Sequence, residues 1–477
     1  MMKQYHEIKQ KTPDSLLFFR LGDFYEMFFE DAKIASKELD LVLTGRACGQ
    51  EERAPMCGVP YHSAEAYISR LVSKGYRVAI CEQTEDPAKA KGLVRREVIR
   101  VISPGTIIED SMLDESRNNY LACAAVSGER AALCFVDAST GALHLTELSG
   151  EGLAARVENE LGRYAPREIL LNSEAAALPG LVKFASDRLG GRVTQPDAAY
   201  FEPDSAEEVA LRHFGAADLE ALSLTKASPM LIPLGASLAY LYETRMTGLE
   251  NIRQIDFYAD AQYMRLDLAA RRNLELCETM RTGDKKGSLL WVLDHTKTAM
   301  GKRMIRGWIE QPLLCAAAII RRQNAVGELA ENSVLLREFQ SALEGITDIE
   351  RLITRVSYGS ANARELKAFE AAAKRLPEVK RLLESCSCAF LAETNAELDT
   401  LSDIGELIGR AISEDPPFSV REGGLIREGY SADVDSLRLD MTDGKGIIAR
   451  VEALERERTG VKNLKVGYNR VFGYYIE

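Results

Sequence analysis

Cysteine and histidine are sparse in this sequence, and neither occurs in a regular pattern. The 477 residues include nine cysteines and five histidines. Both types are scattered, and no Cys-x-x-Cys pair occurs. Disulfide frameworks and zinc sites need such residues at short, recurring spacings. We therefore predict reduced thiols, as in the cytoplasm, and no metal site.

Long apolar runs are also missing. No run approaches the roughly 20 residues that span a bilayer, and the N-terminal sequence MMKQYHEIKQ lacks the apolar core of a signal peptide. Hydrophobic residues make up 46% of the chain and charged residues 28%. The sequence predicts a cytoplasmic protein with no membrane partner and with room for several domains.

The chain also lacks an excess of positive charge, since its formal net charge is −12. A protein that coats nucleic acid by electrostatic attraction alone is therefore excluded. Local basic patches on an acidic body remain compatible with this balance.

No stretch fits the phosphate-binding pattern GxxxxGK[ST]. The nearest candidates, at 283–287 and 443–446, have the wrong spacing and no preceding strand. We predict that the chain has no catalytic residues and binds no cofactor by itself.

The most informative stretch is LLFFRLGDFYEMFFE, at 16–30. Its apolar start predicts a buried strand, and the break at 21–23 predicts a following helix up to Leu39. Asp23 is the expected N-cap of that helix, with Glu26 completing a capping box. Spacing alone makes Phe24 an ordinary core aromatic and Glu26 an ordinary first-turn residue.

Further elements follow along the chain. Around the first strand, at 16–20, we predict strands at 41–44, 76–81 and 97–102, a helix at 63–73, a loop at 45–55 and a basic, solvated stretch at 88–96. A second unit starts near 118, with strands at 120–126, 131–137, 142–147 and 168–171 and a helix at 151–161. Helices are then predicted at 211–224, 229–248, 316–331, 334–346, 349–357, 361–375 and 378–385, with short strands at 252–258 and 263–266. A long helix at 431–458, interrupted near 443–446, precedes two strands within 460–477.

Four motifs carry a resemblance to a known family. GDFYEMF at 22–28, MCGVPYH at 56–62, AICEQ at 79–83 and VISPGT at 101–106 resemble, in order and spacing, the N-terminal domain of the MutS family of DNA mismatch sensors. The stretch SLLWVLDHTKTAMGKRMIRGWIEQPL, which begins at Ser288, resembles the core of the same family.

The resemblance implies a multidomain fold of α/β and all-α parts. It implies a mixed α/β mismatch-recognition domain at 1–115 and a ribonuclease-H-like α/β connector domain at 116–250. A helical core and lever domain at 251–445 is implied next, then the end of the lever helix and the start of a β clamp at 446–477.

The resemblance also implies site residues. Phe24 becomes an aromatic wedge that enters kinked DNA at a mispair, and Glu26 becomes its base-contacting partner. The contacts with the DNA backbone that it implies are the basic residues Arg46, Arg96, Lys462, Lys465 and Arg470.

By resemblance, the partners are double-stranded DNA with mismatches or small loops, a second copy of the protein, and MutL. The family couples mismatch and damage sensing, which initiates DNA mismatch repair, to an ATPase that uses ATP and Mg²⁺. By the same resemblance, we expect this chain to correspond to about the N-terminal half of the family and to lack a counterpart of the ATPase region.

Two other classes of function stay open. One is a helical scaffold that binds protein partners without binding mismatches, which a binding assay with mismatched duplex would distinguish. The other is a structure-specific nuclease that works through the second unit. Such nucleases cluster carboxylates around two metal ions, whereas Asp137 stands alone on its strand, which disfavours this interpretation.

Overall fold

The computed structural model describes residues 1–47, 53–85, 94–244, 248–259, 262–442, 444–461, 463–469 and 473–477. The chain forms two compact units. The first comprises Met1–Ala361 with Arg381–Glu397, and the second comprises Asn362–Lys380 with Leu398–Glu477. Among the residues that the structure describes, no helix is both long and apolar enough to cross a membrane.

The N-terminal part of the first unit is a six-stranded mixed sheet. Its strands are β1 (Ser15–Leu21), β2 (Phe24–Phe28), β3 (Thr44–Arg46), β4 (Ala54–Pro60), β5 (Arg77–Gln83) and β6 (Arg96–Ile102), in the order β3-β4-β2-β1-β5-β6. β1 and β5 are parallel, and the other neighbours are antiparallel. Its helices are α1 (Met2–Lys11), α2 (Phe29–Leu39) and α3 (Ala64–Ser73).

This sheet has a hydrophobic core on each face. On one face, Phe18 and Met27 pack with residues of α2 and α3. On the other face, Phe19 and Phe28 pack with Tyr5 of α1. Each face of the sheet is thus packed against helices.

The predicted strands at 16–20, 76–81 and 97–102 and the helix at 63–73 are confirmed. The predicted helix start at Phe24 is wrong, because residues up to Phe28 form β2 and α2 begins at Phe29. The capping box of Asp23 and Glu26 is therefore wrong as well. The sequence FYEMF is rich in aromatic side chains that pack well on a pleated surface.

The region at 41–55 also differs from its prediction. The strand predicted at 41–44 lies at Thr44–Arg46, and β4 already begins at Ala54 within the predicted loop. Residues 48–52 of that loop and 88–93 of the basic stretch lie outside the described residues.

The next part of the first unit is a second six-stranded sheet. Its strands are β7 (Leu121–Ser127), β8 (Arg130–Asp137), β9 (Ala142–Ser149), β10 (Glu168–Leu171), β11 (Arg192–Thr194) and β12 (Asp256–Phe257), in the order β11-β10-β7-β8-β9-β12. Its helices are α4 (Leu153–Tyr164), α5 (Ser173–Ala177), α6 (Leu181–Lys183), α7 (Pro203–Phe214) and α8 (Leu231–Glu243). The four predicted strands and the helix after the third are confirmed.

One helix prediction here is wrong. The helix expected at 211–224 is α7, which ends at Phe214 because Gly215 has a left-handed φ of 62°. Of the strand predicted at 252–258, only Asp256–Phe257 forms a strand, β12, which pairs with β9 at the sheet edge. The strand predicted at 263–266 is wrong, since only an isolated bridge between Tyr263 and Leu313 is formed there.

Asp137 is a structural carboxylate within this sheet. Its side chain is fully buried and accepts hydrogen bonds from Nδ2 of Asn118 at 2.8 Å and the backbone N of Asn119 at 3.0 Å. The backbone N and Oγ of Ser139 donate to it at 2.9 and 2.7 Å. The described residues contain no group of three His, Cys, Asp or Glu that could hold a metal ion. The nuclease interpretation therefore loses its only candidate residue to a structural role.

The remaining elements are helical apart from a final hairpin. The helices are α9 (Leu268–Asn273), α10 (Leu289–Leu293), α11 (Ala299–Glu310), α12 (Ala316–Glu331), α13 (Ser333–Leu343), α14 (Ile349–Tyr358), α15 (Ala363–Ala373), α16 (Leu376–Glu384), α17 (Ala389–Glu397), α18 (Ser402–Ala411), α19 (Ala432–Thr442) and α20 (Gly444–Thr459). The hairpin is β13 (Val466–Asn469) with β14 (Gly473–Ile476). The predicted helices here and the two final strands are confirmed, and residue 443 of the predicted interruption lies outside the described residues.

A buried ion pair joins α11 to the start of α14. Arg303 donates to both carboxylate oxygens of Asp348, at 2.7 and 2.8 Å, and Asp348 also caps α14 by accepting from the backbone N of Arg351. Burial acts to raise the pKa of Asp348, but the hydrogen bonds and charge of Arg303 outweigh it, so the pKa is lowered.

We expect Asp348→Asn to lower the free energy of unfolding by about 2–4 kcal/mol at pH 7, because the buried Arg303 then keeps only the half-exposed carboxylate of Glu350 as a counter-charge. The folded pKa of Asp348 lies below the unfolded value of about 3.9, so this stabilisation is present above that pH and is lost as pH falls towards the folded pKa. Urea unfolding at pH 7 and pH 3 measures the difference between variant and wild type. The exposed pair of Lys33 and Glu30 supplies the control Glu30→Gln. A difference that stays constant between the two pH values would contradict the assignment.

Candidate nucleic-acid interface

Phe24 lies at the tip of the hairpin formed by β1 and β2. Gly22 in the turn has a left-handed φ of 58°, which glycine adopts at low cost. The backbone N of Tyr61 donates to the carbonyl O of Asp23 at 2.9 Å and so ties the turn to the end of β4. Phe24 is paired with Leu21 on one side and Pro60 on the other. Its backbone is fixed, while its side chain is 46% exposed.

The alternation along β2 separates two sets of side chains. Tyr25 and Met27 are buried in the core beneath α2 and α3, so Phe24 and Glu26 point to the opposite face. That face is covered by α1 further along, where Phe28 is buried. Phe24 and Glu26 therefore lie together at the open end of a face whose remainder is packed.

Glu26 forms an ion pair with Arg46. Nη1 of Arg46 donates to Oε2 of Glu26, and the side chains are 39% and 15% exposed, respectively. The two residues come from β3 and β2, which flank β4 in the sheet. Gly58 of β4 lies directly opposite Glu26, and a Cβ there would approach Cγ of Glu26 to 3.4 Å. The missing side chain at Gly58 leaves room beside the carboxylate.

Four polar and aromatic side chains support the hairpin turn from the other face. The hydroxyl of Tyr25 donates to Glu82, and Arg20 donates to the same carboxylate at 3.2 Å. The guanidinium of Arg20 lies 3.8 Å from the centre of the Tyr61 ring and donates to the carbonyl O of Gly22 at 2.6 Å. Burial, and next Glu82, raise the pKa of Tyr25, so its hydroxyl stays a donor.

Sequence reasoning missed this supporting cluster. Tyr61 and Glu82 lie within the motifs MCGVPYH and AICEQ, so the signal was present in the resemblance. What the motifs do not reveal is that their strands come together around one turn.

The fourth motif, VISPGT, has a different role. The backbone N of Gly105 and Oγ of Ser103 donate to Glu168 of β10, the former at 3.1 Å. Glu168 is fully buried and also accepts from the hydroxyl of Tyr240 at 2.6 Å. A Cβ at Gly105 would lie 2.8 Å from Cβ of Glu168. VISPGT therefore fastens the first sheet to the second and is not part of the exposed face.

The structure argues against Arg96 as a phosphate contact. Arg96 is 9% exposed, and its guanidinium donates to the carbonyl O of Arg20 at 2.7 Å, to Gln4 at 3.2 Å and to the carbonyl O of Val94 at 3.0 Å. It also lies 5.2 Å from the centre of the Phe19 ring. Burial lowers its pKa. To reach a phosphate it would have to leave three hydrogen bonds and a buried position.

The remaining basic residues of the prediction belong to the second unit. Lys465 has an exposed side chain, and its backbone exchanges two hydrogen bonds of 2.8 Å with Glu477 next to the β13–β14 hairpin. Lys462 and Arg470 lie outside the described residues.

The exposed group at the end of the first sheet thus combines three kinds of chemistry. Phe24 offers a flat apolar ring, Glu26 a hydrogen-bond acceptor, and Arg46 a positive charge. The described residues contain no group of three His, Cys, Asp or Glu that could add a metal ion to these three. The arrangement suits stacking on, and hydrogen bonding to, a nucleic-acid base.

Three family models match successive parts of the chain. The family model described as MutS domain I matches residues 1–111, MutS domain II matches residues 119–253, and MutS domain III matches residues 269–466. The first sheet and its helices therefore lie within MutS domain I.

Close relatives carry one name. The chain is 47% identical over its whole length to the DNA mismatch repair protein MutS of Lachnoclostridium phytofermentans, of which it covers 51%. It is 46% identical to those of Ruminiclostridium cellulolyticum and Acetivibrio thermocellus, covering 54% of each. The chain thus spans about half the length of the curated relatives it matches. With three successive MutS domains and this identity over all of its residues, the chain belongs to the MutS family.

Proposed function

We propose that this chain is the mismatch-sensing part of a DNA mismatch repair protein. It binds double-stranded DNA that contains a mispair or a small loop, and this binding initiates repair. The observation that carries the proposal is the exposed ring of Phe24 beside Glu26, on a sheet that matches MutS domain I.

A mismatch sensor has to respond to an error in any sequence context. It does so by testing deformability, because a mispaired step costs less to unstack and kink than a paired one. An apolar side chain inserted from the minor groove loses a few kcal/mol in unstacking and regains it through wider contact with bent DNA. A base stacked on an aromatic ring contributes about 1–3 kcal/mol whatever its identity. Phe24 has the chemistry of such a wedge, and Glu26 is placed to accept a hydrogen bond from the disturbed base.

The finer organisation is part of the proposal. We assign mismatch recognition to 1–115, a ribonuclease-H-like connector to 116–250, a helical core and lever to 251–445, and the lever end with the start of a clamp to 446–477. Lys465 remains a proposed contact with the DNA backbone, whereas the ion pair of Arg46 with Glu26 favours a different role for Arg46. For the full-length family member we propose ATP with Mg²⁺, a homodimer and MutL as cofactors and partners, in the cytoplasm.

The test is binding of this chain to a short labelled duplex with and without one G·T mismatch, followed by fluorescence anisotropy at 0.1 M salt. We expect the mismatched duplex to bind about tenfold more tightly, since an easier kink and one stacked base together are worth more than 1.4 kcal/mol. Equal affinity for both duplexes would contradict the proposal and favour a scaffold that binds protein partners.

A further inference from the structure

The ion pair of Glu26 raises a question about charge. A carboxylate that faces DNA is repelled by the phosphates, whose negative charge dominates the field around a duplex. Glu26 lies beside the exposed Phe24 and would come close to DNA whenever Phe24 does. Its charge therefore has to be offset if it is to help binding.

Arg46 offsets that charge and also fixes the carboxylate. Nη1 of Arg46 holds Oε2 of Glu26, whereas no described residue donates a hydrogen bond to Oε1. One oxygen of the carboxylate is thus occupied, and the other is left to accept a hydrogen bond from a ligand. A carboxylate has acceptor capacity for both at once.

The side chains of Glu26 and Arg46 come from separate strands of the first sheet. Glu26 is held on β2, which is hydrogen-bonded to β1 and β4, and Arg46 lies on the edge strand β3. Gly58, between them on β4, adds no side chain to this face. The carboxylate is the less exposed partner, at 15% against 39% for the guanidinium. Arg46 therefore restricts the directions in which Glu26 can point.

We propose that Arg46 is a positioning residue for Glu26, which holds one carboxylate oxygen and neutralises its charge so that the other oxygen faces a mispaired base. This inference rests on the proposed function of Phe24 and Glu26. It differs from a phosphate contact at Arg46, because a phosphate contact strengthens binding to matched and mismatched duplexes alike.

A double-mutant cycle tests the proposal. Arg46→Gln, Glu26→Gln and the double variant are compared by the ratio of Kd for matched duplex to Kd for G·T duplex. We expect Arg46→Gln to lower this ratio by roughly fivefold when Glu26 is present and to leave it unchanged when residue 26 is glutamine, as coupled neighbours require. Arg130→Gln, which breaks an exposed cross-strand ion pair with Glu147, is the matched control and should leave the ratio unchanged in both backgrounds.

Two other outcomes would overturn the proposal. If Arg46→Gln weakens both duplexes equally in both backgrounds, and the salt slope of log K falls by about 0.9, then Arg46 contacts a phosphate and does not position Glu26. If the wild-type ratio exceeds one and Arg46→Gln leaves it unchanged, only the role of Arg46 is refuted. A wild-type ratio of one would instead refute mismatch sensing itself, and with it this inference.

Discussion

Phe24→Ala is expected to remove most of the preference of this chain for mismatched over matched DNA. The substitution deletes the ring that would stack on a base, and stacking contributes about 1–3 kcal/mol, which corresponds to roughly 5- to 150-fold in affinity. Affinity for matched duplex should change little, because a paired step resists insertion and gains little from the ring. Anisotropy titrations of the variant with both duplexes measure this difference.

The fold should survive the change, which makes the result interpretable. Phe24 is 46% exposed, so its removal forfeits only part of a buried side chain, and we expect a loss of stability below about 1 kcal/mol. Ile99, on β6 of the same sheet, is equally exposed at 46%, and Ile99→Ala is the matched control. Ile99→Ala should keep the preference of the wild type. An unchanged preference in Phe24→Ala would rule out the wedge.

Asp137→Ala is expected to have the largest effect on stability, about 3–5 kcal/mol of unfolding free energy. The carboxylate is fully buried and accepts from two backbone N–H groups and two side chains. Removing the carboxylate leaves these donors unsatisfied in a largely buried site, where each unsatisfied group costs about 1–3 kcal/mol. Urea unfolding, followed by circular dichroism of the whole chain, measures the loss.

The control for this experiment is Asp187→Ala, because Asp187 is exposed in the same part of the chain. The free energy of unfolding of this variant should differ from that of the wild type by less than about 0.5 kcal/mol. The same variants separate the structural role of Asp137 from a nuclease role. Mg²⁺-dependent cleavage of DNA by the wild type that disappears in Asp137→Asn, with the fold intact, would contradict the structural role.

The strands with continuous apolar runs could be predicted because they are buried on both faces. Residues 16–19 lie at the centre of the first sheet, between α1 on one side and α2 and α3 on the other. The strands of the second sheet could be predicted as well, because they are apolar runs separated by short turns that contain glycine. In both cases the local pattern and the tertiary environment agree.

The secondary structure of residues 24–28 could not be predicted from the local sequence pattern. In the five-residue stretch 24–28, the apolar side chains at 24, 27 and 28 fit the helical period. The burial of residues 25 and 27 fits the strand period instead. The outcome depends on pairing with β4, which is some 30 residues away along the chain. Helix α1 also escaped prediction, because only Tyr5 and Ile8 of its residues are buried.

The candidate site could also be predicted only in part. The resemblance drew attention to Phe24 and Glu26, but the ion pair of Glu26 with Arg46 depends on the order of β2, β4 and β3. The resemblance also indicates Arg96, but a match to a basic position does not show which face of a strand the side chain takes. Arg95 is exposed and Arg96 is buried, because successive residues of an extended chain point to opposite faces.

The position of Phe24 on a doubly paired strand has a mechanical consequence. β2 is hydrogen-bonded to β1 on one side and β4 on the other, and the turn beside Phe24 is tied to Tyr61. For the proposed insertion of Phe24, the backbone hydrogen bonds on both sides of the strand resist displacement of the ring more than a loop without strand partners would. More of the bending then falls on the duplex, so that the binding free energy reflects more fully how easily a mispaired step deforms.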